Sequence, residues 1–510
     1  MKRILPVLVI LSMAVAAFAD ERAAAQKLGE LRQSPLLLRR FLEAMPKGGD
    51  LHNHLSGAVY AETYLRYAVD DGLCIDRRKL EIAAPPCLEA DGLVPAKTAV
   101  LDSALYSQIV DAMSMRNYKP AVENGHDRFF ATFNRYRAVS RVHLPDMLAD
   151  VVGREACDNV DYLEVMASLD AGAARRIALP EGATIEEMYA ALDASESVSG
   201  IVAQARKLMD TAEATLQKTL RCGTAEAQPG CASTVRYIFE IHRGFSRTQV
   251  FAEMVVGFAL ATADSRVVAL NPVMPEDGWT SMNDFDEQMA MLRFLRPKYP
   301  KVRLSAHAGE LAPGLVPPED LRNHIRDSVM TAGAERIGHG VGIARETDAI
   351  DLLRTMAARG IAVEICLTSN DSILGITGRH HPLRLYLDHG VPVVFATDDP
   401  GVSRGDLTTE FQRAVEEHGL DYATLKRAAR NSLHYSFLEG ASLWTDASYA
   451  AFAPSCATNG TACTAWLDAN PKAREQWRLE KRLCEFENGF ASVPRRAARS
   501  GARPACRRFE

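Results

Sequence analysis

The chain has 510 residues with a formal net charge of −6, and 47% of its residues are hydrophobic. That length exceeds one ordinary domain, but a single large barrel with insertions accommodates it. The mildly acidic balance argues against a partner such as nucleic acid or an anionic membrane, and six arginines between positions 495 and 508 are interpreted as a solvated tail.

Residues 1–19 have the pattern of a secretory signal peptide. Two basic residues precede an apolar stretch that ends at Phe18, and Ala17-Phe18-Ala19 matches an A-x-A cleavage site. The alternative is a membrane anchor, but this stretch is shorter than the roughly 20 residues that a spanning helix needs. We therefore expect an exported protein that is not attached to a membrane once the signal is removed.

The remaining chain divides into three parts. We predict an N-terminal helical segment over 20–46, a barrel over 47–440 and a C-terminal extension over 441–510. The barrel carries two insertions, at about 70–125 and 168–233, that do not fit the repeating pattern. Within the extension, Trp444, Cys456, Asn459-Gly460 and Cys463 suggest a loop-rich, disulfide-tied structure.

Eight short apolar runs rich in β-branched residues are predicted as strands, and from the second onward they alternate with segments of helical period. Strands that alternate with helices favour a parallel sheet, and eight such units favour a closed (β/α)₈ TIM-type barrel. The runs are Gly48–His52, Val160–Val165, Val235–Ile241, Val267–Leu270, Val302–Ala306, Arg336–Gly338, Ala362–Cys366 and Val393–Thr397.

Polar residues follow the ends of these strands with few exceptions. The carboxyl ends of all eight strands of a parallel barrel share one rim, where active sites are built. We therefore expect these residues to converge, although they are far apart in sequence. They are His52, His54, Glu164, His242, Asn271, His307, His339, Ser369, Asn370, Asp398 and Asp399.

Four of the rim residues suit a divalent metal. His52 and His54 are two residues apart on a strand, so their side chains point to the same side. His307 supplies a third nitrogen ligand, and Asp398 follows the eighth strand, which lies beside the first in a closed barrel. Each histidine alone could be an ordinary core or surface residue. Three His and one Asp together leave a position open for water, as a catalytic zinc site requires.

Three further residues suit proton transfer and substrate contact. Glu310, three residues beyond His307, is a candidate proton donor, and the alternative is a surface loop residue. His339 is a candidate base or electrostatic stabiliser, and the alternative is an incidental histidine between two glycines. Asp399 could hydrogen-bond to substrate or cap the helix that begins at Pro400, or both. The remaining histidines, His242 near the rim aside, are interpreted as structural or surface residues.

The ten cysteines fit an oxidising compartment. Eight of them form pairs of near neighbours, although connectivity cannot be derived from sequence. Cys157 and Cys366 remain and are predicted to be buried thiols. The pairs are Cys74 with Cys87, Cys222 with Cys231, Cys456 with Cys463, and Cys484 with Cys506.

The motifs HxH, SAHAGE, RIGHG, CLTSND and TDDPG, in this order, resemble the adenosine deaminase family of the amidohydrolase superfamily over roughly residues 40–440. The resemblance implies conversion of adenosine to inosine and ammonia, and the same deamination of 2'-deoxyadenosine, with one zinc ion per chain. It implies Glu310 as proton donor to purine N1, His339 as the residue that orients and deprotonates water, and Asp399 as a hydrogen-bond partner of N7. The implied zinc ligands are His52, His54, His307 and Asp398.

Two positions depart from the family pattern. Ser56 stands where the family has a ribose-contacting Asp, and Met274 stands at a glycine whose backbone touches purine N3. These changes leave the substrate open among adenosine, adenine, a modified adenine nucleoside and another cyclic amidine. A non-catalytic adenosine-binding protein is a further alternative. The signal peptide and insertions resemble an exported branch of the family, which suggests a periplasmic or otherwise secreted protein.

Overall fold

The computed structural model describes residues 21–193, 195–457 and 460–490. The predicted signal peptide, Cys506 and the C-terminal arginines lie outside the described residues. Within the described ranges, no helix has both the length and the apolar character needed to cross a membrane.

Eight parallel strands form the barrel, and each pairs with the next along the chain. The predicted (β/α)₈ TIM-type fold is therefore confirmed. The strands are β1 Gly48–His54, β2 Val160–Ala167, β3 Thr234–His242, β4 Val267–Val273, β5 Arg303–Ala308, β6 Arg336–His339, β7 Ala362–Ile365 and β8 Val393–Phe395.

The first and last strands meet through the segment that follows β8. The backbone N–H of Asp398 donates to the carbonyl of His52, and the N–H of His54 donates to the carbonyl of Asp398, both at 2.8 Å. Closure of the barrel thus aligns two of the predicted metal ligands with a third through backbone hydrogen bonds.

Helices surround this sheet and bury their apolar faces against it. Eleven of them are Leu144–Cys157, Arg247–Ala263, Trp279–Asn283, Phe285–Leu295, His324–Met330, Ala349–Arg359, Leu367–Leu374, Leu383–Asp388, Pro400–Ser403, Leu407–Glu416 and Tyr422–His434. Residues 21–31 are also helical, and Pro35–Ala44 precedes β1. The other helices are Leu55–Ala58, Ala61–Asp70, Ala96–Ala99, Ser103–Ala112, Gly125–Arg135, Arg137–Ser140, Ile185–Asp193, Glu196–Thr219, Thr461–Asp468 and Pro471–Asn488.

The first predicted insertion contains a small antiparallel sheet of the strands Cys74–Asp76, Glu81–Ala83 and Leu93–Pro95. Sequence analysis did not anticipate it, because three-residue strands are too short to show a period. The second insertion contains the two helices Ile185–Asp193 and Glu196–Thr219.

The C-terminal extension is loop-rich and disulfide-tied before the helix Thr461–Asp468, as predicted, whereas the helices that follow were not anticipated. Pro471 begins an 18-residue helix rich in Arg, Glu, Lys and Leu, which favour helix. Phe486 of this helix lies 5.1 Å from Phe41, between ring centroids, which ties the extension to the N-terminal segment.

Three of the predicted disulfides are present: Cys74–Cys87, Cys222–Cys231 and Cys456–Cys463. Cys366 is buried as predicted, whereas Cys157 is only partly buried, because it lies in the last turn of its helix. Cys484 is exposed, and its predicted pairing with Cys506 stays a prediction.

Candidate active site

The structure brings together the four predicted metal ligands at the carboxyl rim of the barrel. One ligand atom from each of His52, His54, His307 and Asp398 lies within 4.8 Å of the other three. Nε2 of His54 lies 3.0 Å from Nε2 of His307, and Nε2 of His52 lies 3.3 Å from Oδ1 of Asp398.

The opposite ring nitrogen of each histidine faces a buried oxygen. Such a contact holds the proton on Nδ1 and directs the Nε2 lone pair toward the shared centre. The pairs are His52 with Glu364 at 2.7 Å, His54 with Glu240 at 3.0 Å, and His307 with Asn271 at 2.7 Å.

This donor set fits a divalent metal. Nε2 of His52 is buried without a hydrogen-bond partner among the described residues, and the Nε2 atoms of His54 and His307 direct lone pairs at each other. A cation would satisfy all three nitrogens, and three imidazoles with one carboxylate match the ligands of catalytic zinc sites. Their assignment as ligands stays a prediction supported by this geometry.

Buried charges beneath the rim hold His52 in place. Glu364 accepts from His52 and pairs with Arg336, whose Nε lies 2.5 Å from the Glu364 Oε1 atom. Arg336 also pairs with Glu164 at 2.6 Å. Although burial by itself would raise the pKa of Glu364, the charge of Arg336 and the bond to His52 lower it to about 2. The carboxylate therefore stays ionised and can orient His52.

Asp398 and His339 both adopt left-handed backbone conformations, with φ of 61° and 63°. Such values are uncommon outside glycine, and strain of this kind is concentrated at functional sites. Ser369 donates to Oδ2 of Asp398 at 2.5 Å, which leaves Oδ1 directed toward His52 and His54.

Glu310 is buried, and its Oε1 has no hydrogen-bond partner among the described residues. Burial, followed by the negative charges of Asp398 and Glu276, raises the pKa of Glu310 well above its usual value. The side chain is therefore suited to carry a proton. Its Oε1 lies 3.6 Å from Nδ1 of His339, so acid and histidine face the same space.

Glu276, which sequence reasoning left without a role, holds the loop that carries Glu310. Its carboxylate accepts from the backbone N–H of Gly309 at 3.0 Å and of Glu310 at 2.7 Å. It also contacts Nδ1 of His324 at 2.6 Å. Burial opposes ionisation, but the bond to His324 and the charge of Arg243 lower the pKa of Glu276 to about 2. In the sequence, only its position just after β4 could have indicated this role.

Arg243 is a second residue that sequence reasoning missed. It is buried, and its guanidinium donates to the carbonyl of His307 at 3.0 Å and to that of Met274 at 3.1 Å. It thus joins the loops after β3 and β4 to the end of β5. Its position right after His242 at the end of β3 was the only sequence signal.

His339 is buried, and burial lowers its pKa to about 3, so its imidazole is neutral. Nδ1 accepts from the side-chain amide of Asn370 at 3.0 Å, which leaves the remaining proton on Nε2. Nε2 has no hydrogen-bond partner among the described residues. In this arrangement Nε2 of His339 is a hydrogen-bond donor. Of the two roles predicted for His339, base or electrostatic stabiliser, this favours the electrostatic stabiliser.

Asp399 does not cap the helix that begins at Pro400, because its side chain makes no capping hydrogen bond there. That alternative was wrong. Its Oδ1 is buried without a partner among the described residues and lies directly over Gly57, where a Cβ would fall 1.4 Å away. Burial, with the nearby charge of Asp398, raises the pKa of Asp399 well above its ordinary value.

Ser56 and Met274 both line the cavity above the predicted metal ligands. Met274 has φ of 86°, a conformation that glycine adopts easily. The methionine therefore occupies a glycine-like backbone position and places its side chain against Gly244.

The cavity has a volume of about 510 Å³ and runs from the predicted metal ligands to the barrel mouth. Phe129, Phe130 and Phe133 of the helix Gly125–Arg135 form an apolar wall. Leu208, from the second insertion, also lines it. The insertion therefore covers part of the mouth.

His242 lines the same cavity, and sequence analysis left its role open. Its Nδ1 lies 3.2 Å from Glu253, and its Nε2 lies 3.3 Å from the hydroxyl of Ser168. Ser168 donates in turn to Glu240, the partner of His54. His242 is thus linked to the predicted metal centre through two side chains.

A sequence model of the family described as adenosine deaminase matches residues 99–442. The adenosine deaminase of Serratia proteamaculans (strain 568) is 37% identical over 146 residues, which are 28% of this chain and 41% of that protein. The match thus spans about two fifths of the length of that curated relative.

Two solved structures share the fold. Arabidopsis ADAL complexed with IMP has a TM-score of 0.54 at 16% identity, covering 87% of this chain and 99% of that chain. A cog1816 amidohydrolase from Burkholderia ambifaria with bound Zn has a TM-score of 0.51 at 20% identity, covering 88% and 95%. At such identities the likeness shows the fold alone. Because the family model matches more than half of the sequence, the chain belongs to the adenosine deaminase family.

Proposed function

We propose that the protein catalyses the zinc-dependent hydrolytic deamination of adenosine and 2'-deoxyadenosine to inosine or deoxyinosine and ammonia. This proposal rests on the position of Glu310 at the floor of the cavity, beside the cluster of His52, His54, His307 and Asp398. The raised pKa of Glu310 suits a proton donor. Family membership supports a deaminating hydrolase, and the zinc bound in the Burkholderia amidohydrolase supports zinc as the metal.

Bound by these four residues, one zinc ion per chain would lower the pKa of water toward neutrality and so supply a nucleophile at neutral pH. Glu310 donates its proton to purine N1, which makes C6 more electrophilic. His339 directs its Nε2–H toward the attacking oxygen and orients it. The water adds its oxygen to C6; one of its two protons passes to the amino group, which leaves as ammonia, and the other restores the acid form of Glu310.

Asp399 has a protonation state that matches its proposed partner. Purine N7 is an acceptor only, so the group that binds it must be a donor. The raised pKa of Asp399 supports a protonated carboxyl that donates to N7. Ser56 and the backbone of Met274 are proposed to contact the ribose and N3 from the cavity wall.

We also propose that the protein is exported, to the periplasm or the medium. The pattern of residues 1–19 and the three disulfides support this location. The test is cell fractionation with mass analysis of the mature protein. A cytosolic protein that retains residue 1 would contradict the proposal.

The activity test uses residues 20–510 produced under oxidising conditions. Ammonia release from adenosine is followed with and without a zinc chelator, beside Glu310→Gln and the exposed control Glu416→Gln. We expect the chelator and Glu310→Gln to abolish turnover and Glu416→Gln to retain it. A folded, zinc-loaded protein that releases no ammonia from adenosine or deoxyadenosine would contradict the assignment. Turnover of adenine or a modified adenine nucleoside alone would favour the alternative amino-purine substrates.

A further inference from the structure

The cavity contains two sets of charged residues. Its carboxylates, Glu240, Glu310, Asp398 and Asp399, belong to the site already described or contact it. Its cations are three arginines from other segments, Arg137, Arg141 and Arg175, of which the first two are exposed. Arg137 begins the short helix Arg137–Ser140, and Arg175 lies in the loop after β2. No step of the proposed deamination uses the arginines.

Two of these cations have no anionic partner among the residues that the structure describes. Arg175 pairs with the buried carboxylate of Glu253, and its guanidinium lies 4.4 Å from the ring centroid of Phe245. Within the described part of the chain, Arg137 and Arg141 form neither an ion pair nor a side-chain hydrogen bond. The cavity therefore presents two uncompensated positive charges beside a third that is held in place.

The charges of Arg137 and Arg175 both act on Arg141. The partial loss of solvent around this exposed guanidinium, and after it the positive charges of Arg137 and Arg175, lower the pKa of Arg141. Like charges that line one cavity destabilise each other unless an anion joins them. Arginine forks match the oxygens of phosphate, and such charge-assisted bonds are among the stronger hydrogen bonds in proteins.

We propose that Arg137, Arg141 and Arg175 form a subsite for a phosphate monoester on the substrate, so that an adenine nucleotide such as AMP is preferred to adenosine. This inference rests on the proposed deamination and names its substrate class. A phosphate dianion would neutralise the two unpaired guanidinium groups while the base occupies the floor of the same cavity.

The test compares kcat/KM for AMP and adenosine. We expect the wild type to prefer AMP and the double variant Arg137→Gln/Arg141→Gln to lose that preference by about 10- to 100-fold. The matched control is Arg354→Gln/Arg379→Gln, which removes two exposed arginines that do not line the cavity and make no ion pair within the described ranges. The control should keep the wild-type ratio.

Inorganic phosphate distinguishes a substrate group from a free ion. We expect it to compete with AMP in the wild type and to lose that effect in the cavity double variant. A wild type that does not prefer AMP, or a ratio unchanged by the double variant, would overturn the proposal. Stimulation of adenosine turnover by phosphate without a preference for AMP would also overturn it, since the site would then serve the free ion.

A separate binding measurement keeps the two proposals distinguishable. If neither adenosine nor AMP is deaminated, the proposed function fails, and calorimetric binding of IMP and inosine then tests the arginines by themselves. Tighter binding of IMP that the cavity double variant removes would support the subsite. Equal binding of both molecules to the wild type would overturn it.

Discussion

Nε2 of His381 donates a hydrogen bond to Oδ1 of Asn370 at 3.1 Å. Nδ1 of His381 accepts from the backbone N–H of Leu383 at 3.1 Å, so its proton must lie on Nε2. That contact orients the Asn370 amide, whose NH₂ then donates to Nδ1 of His339. A backbone N–H thus determines, through two side chains, which nitrogen of His339 carries its proton.

Replacing His381 with Ala should impair orientation of the attacking water, because Asn370 can then rotate its amide. We expect kcat to fall about tenfold, a fraction of what general acid–base groups contribute, with little change in KM. Steady-state kinetics on the preferred purine measure this. His380→Ala, at the exposed neighbouring position, is the control. Equal kcat for the two variants would exclude this role for His381.

Asn271 should influence metal affinity because its Oδ1 orients His307. Loss of such a partner reduces metal affinity by about 10- to 100-fold. We expect Asn271→Ala to show this loss in a chelator competition assay, while Asn271→Asp, which keeps an oxygen acceptor, retains tight binding. Weak binding by the Asp variant as well would point to a general packing defect.

Gly57→Ala should disturb substrate binding, since a Cβ there would meet Oδ1 of Asp399. We expect KM to rise about tenfold, as one hydrogen bond to substrate is lost, with zinc content unchanged. The control is Gly29→Ala, where nothing lies within 4 Å of the added carbon. An unaltered KM in Gly57→Ala would show that Asp399 does not contact substrate.

Glu276 should make stability depend on pH. Its pKa falls from 4.5 to about 2 on folding, so its carboxylate stabilises the protein above pH 4.5 and loses that effect as pH falls toward 2. The full effect corresponds to about 3 kcal/mol. Glu276→Gln should therefore lower the melting temperature at pH 7, and the difference from wild type should shrink below pH 4.5.

The pH experiment is done by scanning calorimetry on chelator-treated protein, so that acid release of metal does not contribute. Glu416→Gln, an exposed control, should melt like the wild type at both pH values. A melting difference for Glu276→Gln that stays constant from pH 7 to pH 3 would contradict the assigned pKa.

The barrel and the predicted metal cluster could be anticipated because their signals are local. Each strand shows its own apolar run, and a parallel barrel brings the carboxyl ends of all its strands to one rim. His52, His307 and Asp398 could therefore be assigned to one site from the sequence alone. The three short-range disulfides followed from close spacing in the same way.

Only the tertiary structure showed what orients these groups. The contacts that orient them are those of Glu276 with Gly309, of Arg243 with His307 and of His381 with Asn370. Each connects two segments whose proximity in space cannot be predicted from the sequence. The sequence likewise could not predict that Arg137 and Arg141 line the cavity without an ion pair among the described residues, since that depends on all of their neighbours in space.

The amino-acid sequence by itself determined the fold class, the family and the residues able to bind a metal, because strand periodicity and residue chemistry are properties of short segments. The three-dimensional packing decided the tautomer of His339, the upward shift in the pKa of Glu310 and Asp399, and the charge of the cavity wall. Those properties depend on burial and on distances between groups remote in sequence, which exist only in the folded chain.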